Sequence, residues 1–465
     1  MNAITLQLNP QLKEPLYEQI YQFIKSEITS GRFPYNTKLP SKRQLSAYLQ
    51  CSQNTVQAAY DQLTAEGYTV SKPRSGYYVC MLDGIVSLKK ETAVSLIQTD
   101  SKLKYQYEFS HHGVDLDSFP FYTWRRITKN VINEYDISLL KISDAQGDVN
   151  LRSGIADYLH HSRGVNCSPE QIIVSSGTEF LFLFLIQIFD RDKVFAIENP
   201  GYEKLNLIFK SNRAEFQTIS LDEYGMQPEE LAKSNADIAC VTPSHQFPTG
   251  TIMPINRRLQ FLNWANEKSG RYIIEDDYDS EFKYSGKPIP SMQGIDDGEK
   301  VIYIGAFSKS LTPAIRVSYM VLPVHLMNIY KKSLSFYICP VPVVEQKALC
   351  QFINEGHFER HLNRMRNIYK EKRETTVSAI RSFLPSAQIL GANAGLHFIL
   401  KVNNGMTEEE LITTAQENGV KVHGISQYYF EKAPCDQQPS LLLGFASLRK
   451  NEIPEAVSLL KKAWF

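Results

Sequence analysis

The first eighty residues carry an apolar pattern with helical spacing. One amphipathic helix is predicted to end near Gly31, a second to begin after Ser41 and to break near Cys51, and a third to end at Gly67. Two short strands then follow around a basic tip, "KPRSG" (72–76). The apolar positions of the first helix, three or four residues apart, are Leu16, Ile20, Phe23, Ile24 and Ile28.

This order of elements indicates a DNA-binding head. Helix, short turn and helix is the arrangement that lays a second helix in the major groove, where its first turn meets base edges and phosphates. Here that first turn contains Ser52, Asn54 and Thr55. A two-stranded wing with a basic tip is suited to touching the backbone or the minor groove.

From about Tyr107 the pattern changes to short apolar runs that alternate with helices. Such alternation predicts an α/β domain in which ligands bind just outside the strand ends. The runs, each ending in polar or glycine-rich residues, are "QIIVSSGTEF", "KVFAIENPGY", "DIACVTPSHQFPTG", "RYIIEDDYDSEF", "KVIYIGAFSKS" and "VSYMVLP".

Length and charge support a division of the chain into separate domains. A chain of 465 residues exceeds one ordinary domain, and 43% apolar with 22% charged residues is typical of a globular protein. The whole chain has no net charge, but residues 1–80 contain eight basic and five acidic residues, as expected for a head that meets nucleic acid. We therefore expect a head over 1–80, a linker over 81–105 and a large domain over 106–465.

Seven scattered cysteines without a CxxC pair favour free thiols in a reducing compartment. The N-terminus lacks the pattern of an export signal. The most apolar segment, "FLFLFLIQIF" (180–189), is ten residues long, whereas a spanning helix needs about 20, so it is predicted to be a buried helix. A cytoplasmic location without membrane contact is expected.

Four strand-end features together suggest a cofactor. Lys309 follows an apolar run, and its amine could condense with an aldehyde. Arg316 could hold a phosphate with two prongs, and "SSGTE" (175–179), at a strand-to-helix turn, favours an anion. "EDDYD" (275–279) offers a carboxylate that could keep a ring nitrogen protonated. Aldehyde, phosphate and basic ring nitrogen describe pyridoxal 5′-phosphate (PLP), although each feature alone has an ordinary structural explanation.

The head resembles the winged helix-turn-helix of the GntR-type transcription regulators. The resemblance is carried by "PLYEQIYQFIK", "LPSKRQLS", "NTVQAAYDQL" and "SGYYV" in this order. It implies binding to a double-stranded DNA operator. The implied contact residues are Arg43, Ser52, Asn54, Thr55, Gln57, Arg74, Ser75 and Gly76.

The large domain resembles fold-type I aminotransferases through "NPGY", "TPSHQFPTG", "IIEDDYDSEF" and "GAFSKSLTPAIR". With the head in front, nearly the whole chain resembles the MocR subfamily of GntR-type regulators. The implied fold is α/β, with a large fold-type I PLP-dependent aminotransferase-like domain and a smaller C-terminal α+β subdomain. The resemblance implies that Lys309 carries the cofactor covalently, that Asp276 pairs with the pyridine nitrogen and that Tyr278 meets the ring oxygen. The remaining implied cofactor residues are Arg316, Ser308, Gly177 and Thr178 for the phosphate, and Tyr202 and His245 around the ring.

Some positions depart from these families. Phe247 stands where many aminotransferases have asparagine before "PTG", and Ala306 stands where many have serine or threonine. At the two positions where a γ-aminobutyrate-responsive relative has arginines, this chain has Lys204 and Gln427. We therefore expect those two residues to face an effector other than γ-aminobutyrate: another amine, an amino acid or PLP itself.

The resulting hypothesis is a homodimeric regulator that senses a small molecule and is not primarily an enzyme. We expect the regulator to control amino-acid and amine metabolism or vitamin B6 metabolism. An active aminotransferase with an accessory DNA-binding head is the main alternative, and a relic domain that serves only dimerisation is a second. His111 and His112 could face the site, but no third ligand at suitable spacing supports a metal.

Overall fold

The computed structural model describes residues 6–12, 14–81, 105–133, 136–284, 290–431 and 438–465. The chain divides into two compact units, residues 1–103 and 104–465. The linker expected over 81–105 lies almost entirely outside the described residues. No helix in the described ranges is both long and apolar enough to cross a membrane.

The described part of the first unit, within residues 6–81, contains three helices and a two-stranded sheet. The elements are α1 (Leu16–Thr29), α2 (Lys42–Leu49), α3 (Gln53–Ala65), β1 (Thr69–Lys72) and β2 (Gly76–Val79). Ser41 caps α2 in a reciprocal capping box with Gln44, and Gln50 ends that helix in the left-handed region (φ 52°). Strands β1 and β2 pair antiparallel from Thr69 opposite Val79 to Lys72 opposite Gly76. The predicted winged helix-turn-helix is confirmed.

The core of this unit follows directly from the periodic apolar positions. Ile20 and Ile24 of α1 pack with Val56, Tyr60 and Leu63 of α3, and all five are at most 1% exposed. Isolated helices of 8 to 14 residues are only marginally stable in water. The shared core therefore stabilises α3 and fixes its position on the surface of the unit.

In the described residues of the second unit, eleven further α-helices and fourteen strands are found. The helices are α4 (Phe121–Asn133), α5 (Val149–Arg163), α6 (Thr178–Ile188), α7 (Glu203–Asn212), α8 (Pro228–Lys233), α9 (Ile255–Asn266), α10 (Val324–Ser333), α11 (Val343–Asn354), α12 (His357–Phe383), α13 (Glu408–Glu417) and α14 (Ile453–Trp464). The strands are β3 (Tyr107–Glu108), β4 (Ile172–Ser175), β5 (Phe195–Asn199), β6 (Phe216–Asp222), β7 (Gly225–Met226), β8 (Ile238–Val241), β9 (Tyr272–Asp277), β10 (Val301–Ala306), β11 (Ser318–Val321), β12 (Gln388–Leu390), β13 (His397–Lys401), β14 (Val420–Lys421), β15 (His423–Gly424) and β16 (Ser440–Gly444).

The main sheet has the order β4-β11-β10-β9-β8-β5-β6-β7. Strands β10, β9, β8, β5 and β6 are parallel, while β11 and β7 run antiparallel to their neighbours. Every residue of β4, β8 and β11 is buried, because helices cover both faces, and this explains why the strands read as continuous apolar runs. The run at 180–189 is indeed mainly helical, within α6.

A smaller antiparallel sheet, β12-β13-β16-β15, forms the C-terminal part. Its own core joins Phe398 and Leu441 to Leu411 of α13 and Leu460 of α14. The predicted combination of a large α/β domain and a smaller α+β part is therefore confirmed.

Candidate functional site

A cavity of about 280 Å³ opens at the carboxyl ends of the parallel strands. In the register of the sheet, Ile304 of β10 lies opposite Asp276 of β9, so the segment that follows β10 passes beside that carboxylate. Nine of the residues predicted for cofactor or effector line the cavity. They are Gly177, Thr178, Tyr202, Lys204, Asp276, Tyr278, Ser308, Lys309 and Arg316.

Lys309 lies half-buried in the wall of the cavity. Its Nζ donates a hydrogen bond to the backbone oxygen of His111 at 2.7 Å. Burial lowers the pKa of Lys309 to about 8, although the nearby carboxylate of Asp279 opposes the shift. An amine with this pKa is substantially unprotonated just above neutral pH, which is the form that attacks a carbonyl carbon.

The carboxylate of Asp276 has room for a cationic or N–H partner. Burial, reinforced by the charges of Asp277 and Glu198, raises its pKa to about 7. Its Oδ1 is buried and accepts no hydrogen bond from any residue that the structure describes. A protonated ring nitrogen would satisfy this atom and would restore the ionised carboxylate, so Asp276 fits the pyridine partner implied by the sequence.

The anion-binding corner is formed by α6 and Arg316. Gly177 precedes α6 with φ 95°, and a Cβ at this position would lie 2.0 Å from Arg316 Nη2, so only glycine allows the guanidinium to approach. The N-cap residue Gly177 has no side chain to cap α6, and the backbone N–H groups of its first turn favour an anion. Together with the nearby Ser308, this corner suits a phosphate.

Glu179 is a site residue that the sequence analysis missed. Its Oε2 accepts a hydrogen bond from Arg316 Nη2 at 2.9 Å, and its Oε1 lies 3.4 Å from Nζ of Lys204. Partial burial acts to raise the pKa of Glu179, but a backbone N–H and the two cations outweigh it and lower the pKa. An acid in the first turn after "SSGT" was visible in the sequence, but its contact with Arg316, 137 positions away, was not.

Aromatic and imidazole rings form the opposite wall. Phe247, His111 and His112 line the cavity, and the Phe247 ring lies 5.9 Å from that of Tyr202 and 5.0 Å from that of Tyr428. Burial lowers the pKa of His111 to about 2 and that of His112 to about 4, so both rings are neutral. The apolar Phe247 thus replaces a polar contact with packing that excludes water.

Two of the predicted residues do not line the cavity. His245 lies behind Tyr278, with its Nδ1 3.1 Å from the Tyr278 hydroxyl. Gln427 is exposed on a short 3₁₀ turn, where it donates to the backbone oxygen of Gly424 at 3.1 Å. Within the described ranges, one group of three potential metal ligands is found close together: His245, Asp279 and His397.

The predicted DNA-contact residues lie on α2, α3 and the wing. Ser52 caps α3 by accepting the backbone N–H of Thr55 at 3.0 Å, while Arg43, Asn54 and Arg74 are exposed. Gln57 instead donates to the hydroxyl of Tyr77 on β2 at 3.1 Å and also contacts Lys42 and Asp61. Gln57 therefore braces the recognition helix against the wing. Ser75 and Gly76 lie at the wing turn, with Ser75 Oγ 2.7 Å from the Tyr78 hydroxyl.

Comparison with known proteins agrees with both parts. Residues 16–79 match the family described as bacterial regulatory proteins, gntR family, and residues 120–460 match aminotransferase class I and II. The fold and the site thus define a DNA-binding head joined to an aminotransferase-class domain. The chain belongs to the MocR subfamily of GntR-type regulators.

The relatives extend over almost the whole chain. The uncharacterized HTH-type transcriptional regulator YdeL of Bacillus subtilis is 41% identical over 463 residues, which are 99% of each protein. The probable rhizopine catabolism regulatory protein MocR of Rhizobium meliloti is 32% identical over 97% of this chain and 94% of its own. The HTH-type pyridoxine biosynthesis transcriptional regulator PdxR of Corynebacterium glutamicum is 29% identical over 98% of this chain and 99% of its own.

Solved structures support the fold of the large domain. The kynurenine aminotransferase of Pyrococcus horikoshii, in a complex with PMP, superposes with a TM-score of 0.68 at 23% identity. The match covers 77% of this chain and 90% of that one. At this identity the likeness establishes the fold alone.

Proposed function

We propose that this protein is a PLP-dependent transcription regulator whose aminotransferase-like domain senses an amine, an amino acid or PLP itself. The observation that carries the proposal is one cavity that gathers a low-pKa lysine, a carboxylate with one oxygen unpartnered among the described residues, and an anion corner with an arginine: Lys309, Asp276 and Arg316. The same chain begins with a winged helix-turn-helix. Regulators are also the named class of its extensive relatives.

Each part of the cavity has a chemical task in this proposal. When bound, the cofactor supplies an aldehyde that reacts with primary amines and a ring that withdraws electrons. Lys309 offers the amine, Asp276 holds a proton on the ring nitrogen, and Arg316 with the α6 N-terminus neutralises the phosphate. Tyr202 and Phe247 supply apolar walls that exclude water.

Sensing requires that the effector bind two states of the protein differently. An effector that enters the cavity meets Lys309, whose amine is tied to the His111 backbone, and Lys204, which is paired with Glu179. Changes in these two contacts are the local events that we propose as the input of the switch. Lys204 belongs to the proposed effector site, and Gln427 would join it only after a rearrangement, since it lies outside the lining.

A second copy of the chain is part of the proposal. An exposed apolar patch on the second unit, defined by Ile137 (71% exposed), Leu140 (88%) and Ile142 (75%), supports self-association, because monomers seldom leave such side chains in water. A dimer would present two heads, so the operator should contain two half-sites. A cytoplasmic location accords with a regulator of DNA.

The direct test combines cofactor trapping with DNA binding. Protein incubated with PLP and reduced with borohydride should gain one pyridoxyl group on the peptide that contains Lys309, and Lys309→Ala should abolish it. Lys210→Ala, which removes an exposed lysine of α7, is the matched control and should leave the label unchanged. Wild-type protein that gains no label would refute the proposal.

The aminotransferase alternative has its own readout. The intact lysine, acid and arginine make a half-reaction feasible, so turnover must be measured directly. Holo-protein should be screened against amines and amino acids by absorbance, with operator binding followed in parallel. A compound that changes both signals without sustained turnover identifies an effector, whereas steady turnover with a 2-oxo acid would favour the enzyme.

A further inference from the structure

His245 lies behind the cavity wall in a buried hydrogen-bonded chain. Its Nδ1 is 2.9 Å from Oδ2 of Asp279 and 3.1 Å from the hydroxyl of Tyr278. His245 is 1% exposed and Asp279 is 2% exposed, so water does not compete for these contacts. Of the three residues, only Tyr278 lines the cavity.

The partners of His245 fix where its proton lies. A carboxylate only accepts hydrogen bonds, so Asp279 requires a proton on Nδ1. The same N–H also points to the oxygen of Tyr278, which therefore acts as an acceptor from His245. Among the described residues no partner is found for His245 Nε2, which accords with a ring that carries its single proton on Nδ1.

Without His245, Asp279 would attract the hydroxyl proton of Tyr278 more strongly. Burial raises the pKa of Tyr278, and both the charge of Asp279 and a side-chain hydrogen bond with it raise the pKa further, so this carboxylate competes for the phenol proton. The donation from His245 engages one lone pair of Asp279 Oδ2 and one lone pair of the Tyr278 oxygen, which weakens the pull of Asp279 on the phenol proton. An anionic oxygen in the cavity can then draw the phenol proton away from Asp279.

The surrounding backbone is shaped around this pair. A Cβ at Gly395 would lie 2.0 Å from His245 Cε1 and 2.6 Å from Asp279 Oδ2, and φ of Gly395 is +67°. Its backbone is itself fixed, since its N–H donates to Phe282 and its carbonyl accepts from the Tyr284 hydroxyl, each at 2.7 Å. Because residue 395 is glycine, the main chain can pack directly against the imidazole of His245 and the carboxylate of Asp279.

We propose that His245, oriented by Asp279, is a positioning residue that holds the Tyr278 oxygen and directs the Tyr278 hydroxyl proton into the cavity. Its target is an anionic oxygen on an aromatic ring, such as the ring oxygen of the cofactor. The inference rests on the proposed function and adds a residue that never touches the ligand.

A divalent cation is the competing use of this cluster, since His397 also offers a buried Nε2 for which the described part of the chain supplies no partner, and its ring centroid lies 4.7 Å from that of His245. Binding through His245 Nδ1 would require loss of the proton that now serves both Asp279 and Tyr278. Binding through His245 Nε2, which has no partner among the described residues, would leave that proton in place, so the metal is an outcome of the test.

The first experiment follows the visible absorbance of PLP-loaded protein against pH. A hydrogen bond to an anionic ring oxygen stabilises the deprotonated form, so its loss should raise the midpoint by on the order of one pH unit. We expect this rise in both His245→Leu and Tyr278→Phe, with no further rise in the double variant. His245→Asn, which keeps an N–H donor near the position of Nδ1, should recover most of the wild-type midpoint.

The second experiment needs no cofactor. In ¹⁵N-histidine NMR spectra, the His245 signal is assigned by its absence in His245→Asn. We expect the tautomer protonated on Nδ1 in the wild type and a loss of that preference in Asp279→Asn. This readout and the Asn variant remain decisive if His245→Leu does not fold.

Three results would overturn the inference. One is an unchanged midpoint in His245→Leu while Tyr278→Phe shifts. Another is a His245 ring protonated on Nε2 alone. The third is stoichiometric zinc whose removal by a chelator shifts the midpoint as His245→Leu does, which would make the cluster a metal centre. Failure of wild-type protein to take up PLP would instead refute the proposed function, and the tautomer would still decide the role of His245.

Discussion

Arg316 donates a hydrogen bond to Glu179 at 2.9 Å in the corner of the cavity where the α6 N-terminus also points. The predicted phosphate-binding arginine is thus already paired with a carboxylate of its own chain. A phosphate that binds there must compete with Glu179 for the guanidinium, and two like charges in one corner repel.

Replacement of Glu179 by glutamine should therefore tighten cofactor binding. Glu179→Gln removes both the competing ion pair and the repulsion of a dianion, and we expect PLP affinity to rise about tenfold, which corresponds to about 1.4 kcal/mol. Equilibrium titration followed by visible absorbance measures the change. Glu203→Gln, at the exposed start of α7, makes the same charge change as a control. Weaker binding in Glu179→Gln would mean that the carboxylate helps to build the phosphate site.

Cofactor uptake should depend on the ionisation of Lys309. Since the pKa of this half-buried lysine is lowered to about 8, its reactive unprotonated form increases with pH and dominates above that value. The rate of PLP attachment should rise about tenfold per pH unit below 8 and then level off. Stopped-flow absorbance between pH 6 and 9.5 measures the profile. A rate that keeps rising to pH 9.5 would show that the lysine retains an ordinary pKa.

The head should lose DNA affinity in two distinguishable ways. Arg74→Ala at the wing removes a phosphate or groove contact, so binding should weaken about tenfold for all sequences and the slope of log affinity against log salt should fall by about one. Asn54→Ala in the first turn of α3 should cost about 1–3 kcal/mol on the specific operator only. Fluorescence anisotropy at several salt concentrations separates the two effects.

The control for these head variants is Lys461→Ala, an exposed lysine of α14 in the second unit. It removes the same charge without altering the head, so its affinity and salt slope should match the wild type. PLP absorbance should be unchanged in all three variants. A head in which neither Arg74→Ala nor Asn54→Ala changes affinity does not bind DNA through the wing and α3.

Much of the fold could be predicted from the sequence because the buried strands appear in it as clear apolar runs. Strands such as β8 and β11 are covered on both faces, so each is an uninterrupted apolar run that ends at polar residues. The candidate cofactor residues come at or directly after the ends of such strands in the sequence. Lys309 and Asp276 could therefore be assigned to one cavity before the β9–β10 pairing, which places their segments side by side, was known.

The parts that escaped prediction depend on contacts between distant segments. Glu179 is an ordinary helix-start acid until folding brings Arg316 against it. His245, Asp279 and His397 come from three separate segments, and no spacing rule links them. Local sequence also could not show that Gln427, matched by position to an effector-binding arginine, does not line the cavity and instead bonds to the backbone of Gly424.

Self-association should depend on the apolar patch around Leu140. This side chain is 88% exposed, and Ile142 beside it is 75% exposed, so burial against a second copy is the simplest way to remove them from water. Leu140→Glu would place a charge in that interface and should weaken dimerisation at least about 100-fold. Light scattering across a dilution series measures the dissociation.

Leu259→Glu on α9, which is 45% exposed outside this patch, is the control and should stay dimeric. Operator binding should fall with dimerisation in the first variant, because two linked heads bind two half-sites far more tightly than one head binds one. A wild-type protein that remains monomeric at micromolar concentration would refute the dimer, and a dimeric Leu140→Glu would move the interface elsewhere.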